Sequence, residues 1–376
     1  MELSLSRHGT GAVAAGAAGG SAGPPPSAPE PRVQSAAEAS AAARRPLETY
    51  AALDLGTNNC RLLIARPTHE GFRVVDAFSR IVRLGEGLGH SGRLSEGAIQ
   101  RTLGALAVCR DKMRAKSVTR ARLIATEACR AASNGGDFLA RVSGEVGMDL
   151  EVVDRETEAH LAAAGCAALA DREARSLVLF DIGGGSTEIV WLAGAQAGPS
   201  LRERVRAWTS LQMGVVTLAE KFGGHEVDDA DFEAMVDHVS EALAPFVAQT
   251  AREERCDRFH LLGTSGTVTT LAGVHLGLLR YDRRRVDGLW MGDGDVRATV
   301  AALRRMSFAQ RAANGCIGQE RADLVLAGCA ILEAIHRAFP SPRIRIADRG
   351  LREGILVQLM SADGVWRHEA SRDIAP

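Results

Sequence analysis

Two aspartates set in the same short pattern are the residues of this chain best suited to chemistry. Asp181 closes an apolar run, Leu177–Phe180, and is followed by Ile182, the three glycines Gly183, Gly184 and Gly185, and then Ser186-Thr-Glu188 and a second apolar run to Trp191. Asp54 stands in Ala52-Leu-Asp-Leu-Gly-Thr-Asn-Asn-Cys-Arg-Leu-Leu-Ile64, with Gly56, Thr57 and Asn58 directly after it. A shift of 127 residues lays Asp54 on Asp181, Gly56 on Gly183 and Leu62 on Ile189. Glycine admits positive φ and lets an anion reach backbone N–H groups with no Cβ in the way. An aspartate at the strand end beside such a turn can hold a cation, directly or through water, against phosphate oxygens. A tight hairpin with a solvated aspartate is the plainer reading of either copy alone. The shared register argues instead for two related domains whose turns face one cleft.

A third element of the same kind is Gly263-Thr264-Ser265-Gly266-Thr267, which follows the apolar run Phe259–Leu262. A strand, a glycine-containing turn and a helix start place free N–H groups and the positive end of a helix dipole at the turn. An ordinary capped helix, with Ser265 or Thr267 as the cap, explains it equally well. Gly350-Leu-Arg-Glu-Gly354 follows the last apolar run; its glycines and Arg352 could approach the cleft, but a simple helix start with Arg352 exposed is the plainer reading. No Walker A loop is present; Gly87-Leu-Gly-His-Ser-Gly92 has the dinucleotide-binding spacing only within a loop, and Gly19-Gly-Ser-Ala-Gly23 has the nucleophile-elbow spacing only in the Ala/Gly-rich tail, so neither directly follows a strand. The duplicated Asp-x-Gly turns therefore remain the central signal.

The elements that must carry these turns are alternating strands and helices. Strands are expected at Tyr50–Leu55, Cys60–Arg66 and Phe72–Arg83, and a helix capped by Ser95 runs to about Ala115, with Ile99, Leu103, Leu106 and Met113 on one face. Strands at Arg122–Thr126 and Leu150–Val153 flank a helix from about Asp137, and a helix spans about Glu156–Ala170. The second half repeats the plan: the hairpin 177–191, a strand at Arg202–Thr209, a helix at Asp228–Thr250, and a strand at Phe259–Leu262 leading into a helix. Further helices are expected at Val296–Met306 and Glu320–Ala338, then a strand at Ile344–Ala347 and a closing helix at Arg349–Met360. Such alternation predicts α/β layers arranged as two domains around a cleft.

Length and composition agree with two domains. The chain has 376 residues, with 45 basic against 46 acidic ones, so no global field favours DNA, RNA or an anionic membrane. At 4% aromatic content, stacking on bases is disfavoured as well. The seven cysteines, Cys60, Cys109, Cys129, Cys166, Cys256, Cys316 and Cys329, form no Cys-x-x-Cys pair, which points to reduced thiols and a cytoplasmic location. No apolar run of about 18 residues exists to span a membrane. Residues 1–46, rich in Ala, Gly, Ser and Pro, are expected to be disordered.

Asp54-Leu-Gly-Thr-Asn58, Asp181-Ile-Gly-Gly-Gly-Ser-Thr-Glu188 and Gly263-Thr-Ser-Gly-Thr267 together resemble the phosphate-binding motifs of the exopolyphosphatase/guanosine pentaphosphate phosphohydrolase (Ppx/GppA) family. Arg83-Leu-Gly-Glu-Gly-Leu88, Ala125-Thr-Glu-Ala-Cys-Arg130, Glu320-Arg-Ala-Asp-Leu-Val-Leu-Ala-Gly328 and Asp348-Arg-Gly-Leu-Arg-Glu-Gly354 extend the resemblance from about Tyr50 to Met360. It implies two actin-like (ASKHA, ribonuclease H-like) α/β domains, at 47–165 and 166–355. A C-terminal helix and tail, 356–376, would pack back on the first of them, as in a short form lacking appended helical domains. It also implies a phosphohydrolase that releases orthophosphate from polyphosphate, or converts guanosine pentaphosphate to tetraphosphate, with Mg²⁺ or another divalent cation held by Asp54 and Asp181. Neither DNA, RNA nor a membrane is implied as a partner, and a homodimer is compatible with the resemblance.

Glu158, in Arg155-Glu-Thr-Glu-Ala-His-Leu161, matches the family's water-activating glutamate, with Glu156 as a fallback. The resemblance assigns phosphate contact to Gly56, Thr57, Asn58, Arg130, Gly183, Gly184, Gly185, Ser186, Gly263, Thr264, Ser265, Gly266 and Thr267. Arg155 stands where the family has glycine, Thr157 where it has glutamate, and Glu127 where a small or polar residue is usual. Glu127 would ligate metal or pair with Arg130. The altered surroundings of Glu158 leave open a catalytically weak protein that binds polyphosphate or guanosine tetraphosphate and regulates something else. Fold analogy alone leaves a small-molecule kinase.

Overall fold

The turn after Asp54 is closed by a hydrogen bond from the Gly56 N–H to the Asn59 carbonyl, 2.9 Å, and the turn after Asp181 by the equivalent bond from Gly183 to Ser186, also 2.9 Å. Each joins an antiparallel pair: β1 (Tyr50–Leu55) with β2 (Asn59–Thr68), and β6 (Ser176–Ile182) with β7 (Thr187–Ala193). The registers repeat, with Asp54 opposite Arg61 and Asp181 opposite Glu188. The computed structural model describes residues 48–198, 200–253 and 258–366. The tail 1–46, Cys256 and the residues after Trp366 lie outside the described residues.

Each hairpin seeds its own sheet, and the two sheets share one plan. In the first, β3 (Gly71–Ile81) continues antiparallel on β2, while β4 (Arg120–Ala125) and β5 (Glu151–Val152) add parallel on the far side of β1, in the order β3-β2-β1-β4-β5. In the second, β8 (Val205–Leu211) continues on β7, and β9 (Phe259–Thr264) and β11 (Arg343–Ala347) add parallel to β6. A short antiparallel strand, β10 (Trp290–Gly292), is appended at the edge, in the order β10-β11-β9-β6-β7-β8. The α/β fold is therefore two actin-like sheets of one plan, within the compact unit that begins at Leu47.

Alternation along β1 shows why each sheet needs two covering layers. Ala51, Leu53 and Leu55 pack with the helix Glu96–Ala115 side, whereas Tyr50 and Ala52 pack on the opposite face. That opposite face is covered by Leu351, Ile355, Leu356 and Met360 of the closing helix Leu351–Ala362, so a helix from the end of the chain covers the first sheet. Reciprocally, the helix Arg155–Cys166 presents Ala159, Ala163 and Cys166 to Leu177, Leu179, Val190 and Leu262 of the second sheet. These two helices span the boundaries expected at 165/166 and 355/356.

The two helices cross at glycines. A Cβ on Gly165 would stand 1.9 Å from the Gly350 carbonyl oxygen, and one on Gly354 would stand 2.0 Å from that of Leu161. Backbone is in the way in both cases, so relief needs the helices to part. Gly354→Ala is expected to lower unfolding free energy by about 1–3 kcal/mol, read from urea denaturation. Unchanged stability would mean that the crossing is looser than these distances imply.

Several elements depart from the sequence expectation. Leu201–Arg204 is a helical turn, seeded by the Ser200 side chain accepting from the Glu203 N–H, and the strand starts only at Val205. Helices Val215–Phe222 and Phe308–Ala313 and strand β10 were not expected. They are one or two turns, or three residues, long, too short for a hydrophobic period to show. The helix expected from Glu320 begins at Val325, after a 3₁₀ turn at Gln319–Arg321.

Candidate active site

The two Asp-x-Gly turns touch. A Cβ on Gly184 would lie 3.0 Å from Thr57 Cβ and 3.1 Å from the Asn58 nitrogen, and one on Gly185 would lie 2.6 Å from Thr57 Oγ1. The second and third glycines are thus needed for the approach of one turn to the other, a reason beyond anion access. The amides of Thr57, Gly184 and Gly185 donate to no protein acceptor among the described residues, so they stay open to an anion.

Around this contact lies a cavity of about 470 Å³, lined from both sheets by Asp54, Gly56, Thr57, Asn58, Glu158, Asp181, Gly183, Gly184, Gly185, Ser186, Thr264, Ser265 and Gly266 among others. Ser265 takes φ 82, a left-handed conformation that a serine rarely adopts, at the point where β9 ends and the helix Gly266–His275 begins. Three expected phosphate ligands stand elsewhere. Gly263 is packed between the Phe180 ring and Val268, Thr267 lies against Gly328 of the helix Val325–Ala338, and Arg130 stands behind Glu158 rather than on the wall.

Glu158 owes its place to helix capping. Asp154 accepts from the Thr157 N–H at 2.7 Å and starts the helix, so Glu158 falls in its first turn, buried, on the cavity side. Glu156 is exposed, which separates the two glutamates. Burial pushes the Glu158 carboxyl up to about 7; Arg130 opposes the shift, and Asp54 and Asp181 add to it. Asp181 is pushed up to about 6 by burial and by Asp54, against Arg61 and Ser265. Burial also raises Asp54, with Arg61 and Arg352 pulling it back.

Four wall residues were missed in the sequence or read otherwise. Arg61 and Glu188 lie opposite the two aspartates across their hairpins, and Arg321 arrives from the 3₁₀ turn before the helix Val325–Ala338. Arg352, expected to be exposed, faces the cavity instead, because its helix turns inward at Gly350. Together with Arg283 and Arg349 these make five arginines on the wall. Arg349 is paired with Asp287, and Arg283 with Asp348 and Glu353. Arg61, Arg321 and Arg352 have no ion-pair partner among the described residues. Burial and then neighbouring Arg61 hold Arg321 below the usual arginine range, and its guanidinium is placed to meet an anion entering the cavity. Glu188 is fully buried on the wall and held well above the usual carboxylate range by burial and by Glu158 and Asp181.

Asp54 and Asp181 are hard oxygen donors on the same cavity wall, Asp54 raising the Asp181 carboxyl and arginine opposing the rise at both, which suits a divalent cation. No group of three or more His, Cys, Asp or Glu side chains converges to hold an ion among the described residues. A cation placed here would complete its shell with water and phosphate oxygens, as Mg²⁺ usually does. Among the described residues no helix is long and apolar enough to cross a membrane. The six described cysteines are free and buried.

Fold and site together define a protein of actin-like architecture whose paired turns and five arginines line one cavity. The model of the Ppx/GppA phosphatase family matches residues 63–363, and the chain belongs to that family. It is 30% identical over 337 residues to the guanosine-5'-triphosphate,3'-diphosphate pyrophosphatase of Photobacterium profundum, covering 86% of this chain and 61% of that protein. The protein of the same name from Vibrio vulnificus is 30% identical over 322 residues, covering 83% and 59%. The chain thus spans about three-fifths of the length of these curated relatives. Among solved structures, the Aquifex aeolicus Ppx/GppA family member is 29% identical with a TM-score of 0.68, covering 85% of this chain and 99% of that one. An exopolyphosphatase from Cytophaga hutchinsonii, 24% identical with a TM-score of 0.76 over 84% and 98%, shares the fold.

Proposed function

We propose that this chain is a divalent-cation-dependent phosphohydrolase that removes the terminal phosphate of inorganic polyphosphate or of guanosine pentaphosphate. One observation carries the reading: a buried glutamate whose carboxyl is lifted to about 7 shares a cavity with three arginines, Arg61, Arg321 and Arg352, that make no salt bridge among the described residues. Phosphoryl transfer asks mainly for positioning, charge neutralisation and an in-line nucleophile, and the wall offers all three. The amides of Thr57, Gly184 and Gly185 cradle non-bridging oxygens, and Arg61, Arg321 and Arg352 take the charge of the chain. Glu158 accepts a proton from water as that water attacks the terminal phosphorus. The bridging oxygen leaves as the phosphate end of the shortened chain. Asp54 and Asp181 would hold Mg²⁺, which when bound neutralises phosphate oxygens at the reacting end. Polyphosphate is the preferred substrate because no nucleoside-reading feature stands out in the sequence.

Orthophosphate release from long-chain polyphosphate and from guanosine pentaphosphate, assayed side by side with Mg²⁺, tests the reading. Tight calorimetric binding of either without turnover would replace it with a regulatory role. Transfer of phosphate from ATP to a sugar would replace it with a kinase. Arg321→Gln is expected to raise KM for polyphosphate roughly 10- to 100-fold, the equivalent of one lost charged hydrogen bond, with a smaller change in kcat. An unchanged KM would remove Arg321 from the phosphate path.

A further inference from the structure

Arg130, expected to reach the phosphate chain, has its donors committed to the protein. Its Nε and Nη2 donate to Glu127 at 3.0 and 2.5 Å, its Nη1 to the Val153 carbonyl at 2.6 Å, and its Nη2 also to Glu158 Oε2 at 3.0 Å. Glu127 is itself buried, and its other oxygen accepts from Arg155 Nη2 at 3.1 Å. Its stem also stands close to Gly185, 3.3 Å from where a Cβ would be. Glu127 and Arg155 are two of the three positions at which this chain departs from the family pattern, and the structure joins them in one ion pair. One oxygen of Glu158 is thereby fixed, while Oε1 accepts no protein hydrogen bond among the described residues.

We propose that Arg130 is a positioning residue in this chain: Glu127, braced by Arg155, turns the guanidinium onto Glu158 Oε2 and leaves Oε1 facing the attacking water. Two N–H groups of one guanidinium on the same Glu127 oxygen, Oε2, with Nη2 reaching Glu158 as well, set orientation as well as attraction. The inference rests on the phosphohydrolase reading above. It gives Glu127 no metal, and it makes the two departures a matched pair, since Arg155 loses its partner when Glu127 is reversed and Glu127 loses its brace when Arg155 is.

The test compares wild type with Arg155→Ala, Glu127→Gln, their double variant and Arg130→Gln. The measurements are kcat and KM for polyphosphate hydrolysis, and the calorimetric Kd for a methylene-bridged polyphosphate analogue. Misorientation of the base is expected to lower kcat about tenfold in each single variant, with Kd held within about twofold. The double variant should be no slower than Glu127→Gln alone, because Arg155 acts through Glu127. Arg155 is partly exposed, so its alanine variant folds even if a change at buried Glu127 does not. A Kd raised about tenfold in Arg130→Gln with kcat retained would make Arg130 a phosphate ligand and overturn the proposal alone. So would additive effects of Glu127 and Arg155. A wild-type chain that neither binds nor hydrolyses polyphosphate would overturn the phosphohydrolase reading, and the proposal with it.

Discussion

Glu158→Gln is expected to lower kcat for phosphate release by about two to four orders of magnitude, the range for removing a positioned general base. The substitution keeps the side chain's size and its contact with Arg130, so KM should change little. The wild-type pH profile should carry the signature of the same group. Burial lifts the Glu158 carboxyl to about 7, and a base works only when deprotonated, so activity should fall about tenfold per unit as the pH drops below that value. Because the folded carboxyl is lifted above its usual value, its contribution to stability runs the other way, present at low pH and lost as the pH rises through about 7. Retention of full activity in the glutamine variant, or an acid limb that survives in it unchanged, would assign the proton transfer to another residue.

Asp181→Asn is expected to abolish turnover while making the cation-free protein more stable. Asp181 is half-buried on the cavity wall near Asp54, and desolvation with the Asp54 charge lifts its carboxyl from 3.8 to about 6. A group raised in the folded state gives its full stabilisation below about pH 4 and loses it as the pH climbs through 6. At pH 8 the folded chain therefore carries an ionised carboxylate at a cost of about 1–3 kcal/mol. Asparagine keeps the shape and removes the charge. The gain in unfolding free energy should appear at pH 8 and shrink towards zero near pH 4. The variant should also lose the rise in melting temperature that Mg²⁺ is expected to give the wild type. A variant less stable than wild type at pH 8 would show that Asp181 is compensated by groups other than a cation. Stability traded against function at one residue is the behaviour expected of a site assembled from groups that repel each other until the ligands arrive.

Much of the scaffold of this site was legible from pattern alone. The shared register of Asp54-x-Gly56 and Asp181-x-Gly183 is local, and it reappears as identical turn hydrogen bonds and identical strand pairing. Arg61 and Glu188 carried a signal that could have been used. In an antiparallel hairpin, residues directly opposite share a face, so whatever faces Asp54 and Asp181 across the turn must join them at the cleft. Arg321 carried none, and Arg352 only the weak one of following a glycine after the last strand, where approach to the cleft was the lesser of two readings. They are far from the turns in sequence, and a lone arginine at a helix start reads as solvated until the helix is seen to turn inward. The glycines were read for their open amides, whereas Gly184 and Gly185 are also required by the side chain of Thr57, a contact between segments more than a hundred residues apart.

The sequence by itself determined the two hairpins, their register, the α/β alternation and the family's motifs, because turns, strand periods and helix caps depend on neighbours within a few residues. Tertiary structure alone decided which charges meet. The helix Arg155–Cys166 crosses onto the second sheet and the helix Leu351–Ala362 onto the first, through the glycine contact at Gly165 and Gly354, and this exchange carries Glu158 and Arg352 to one cavity. Burial there, together with opposing and like charges from both halves of the chain, lifts a helix-start glutamate to near neutrality and leaves three arginines with no salt bridge among the described residues. Desolvation and Coulomb forces act over a few ångströms of space, whatever the separation along the chain.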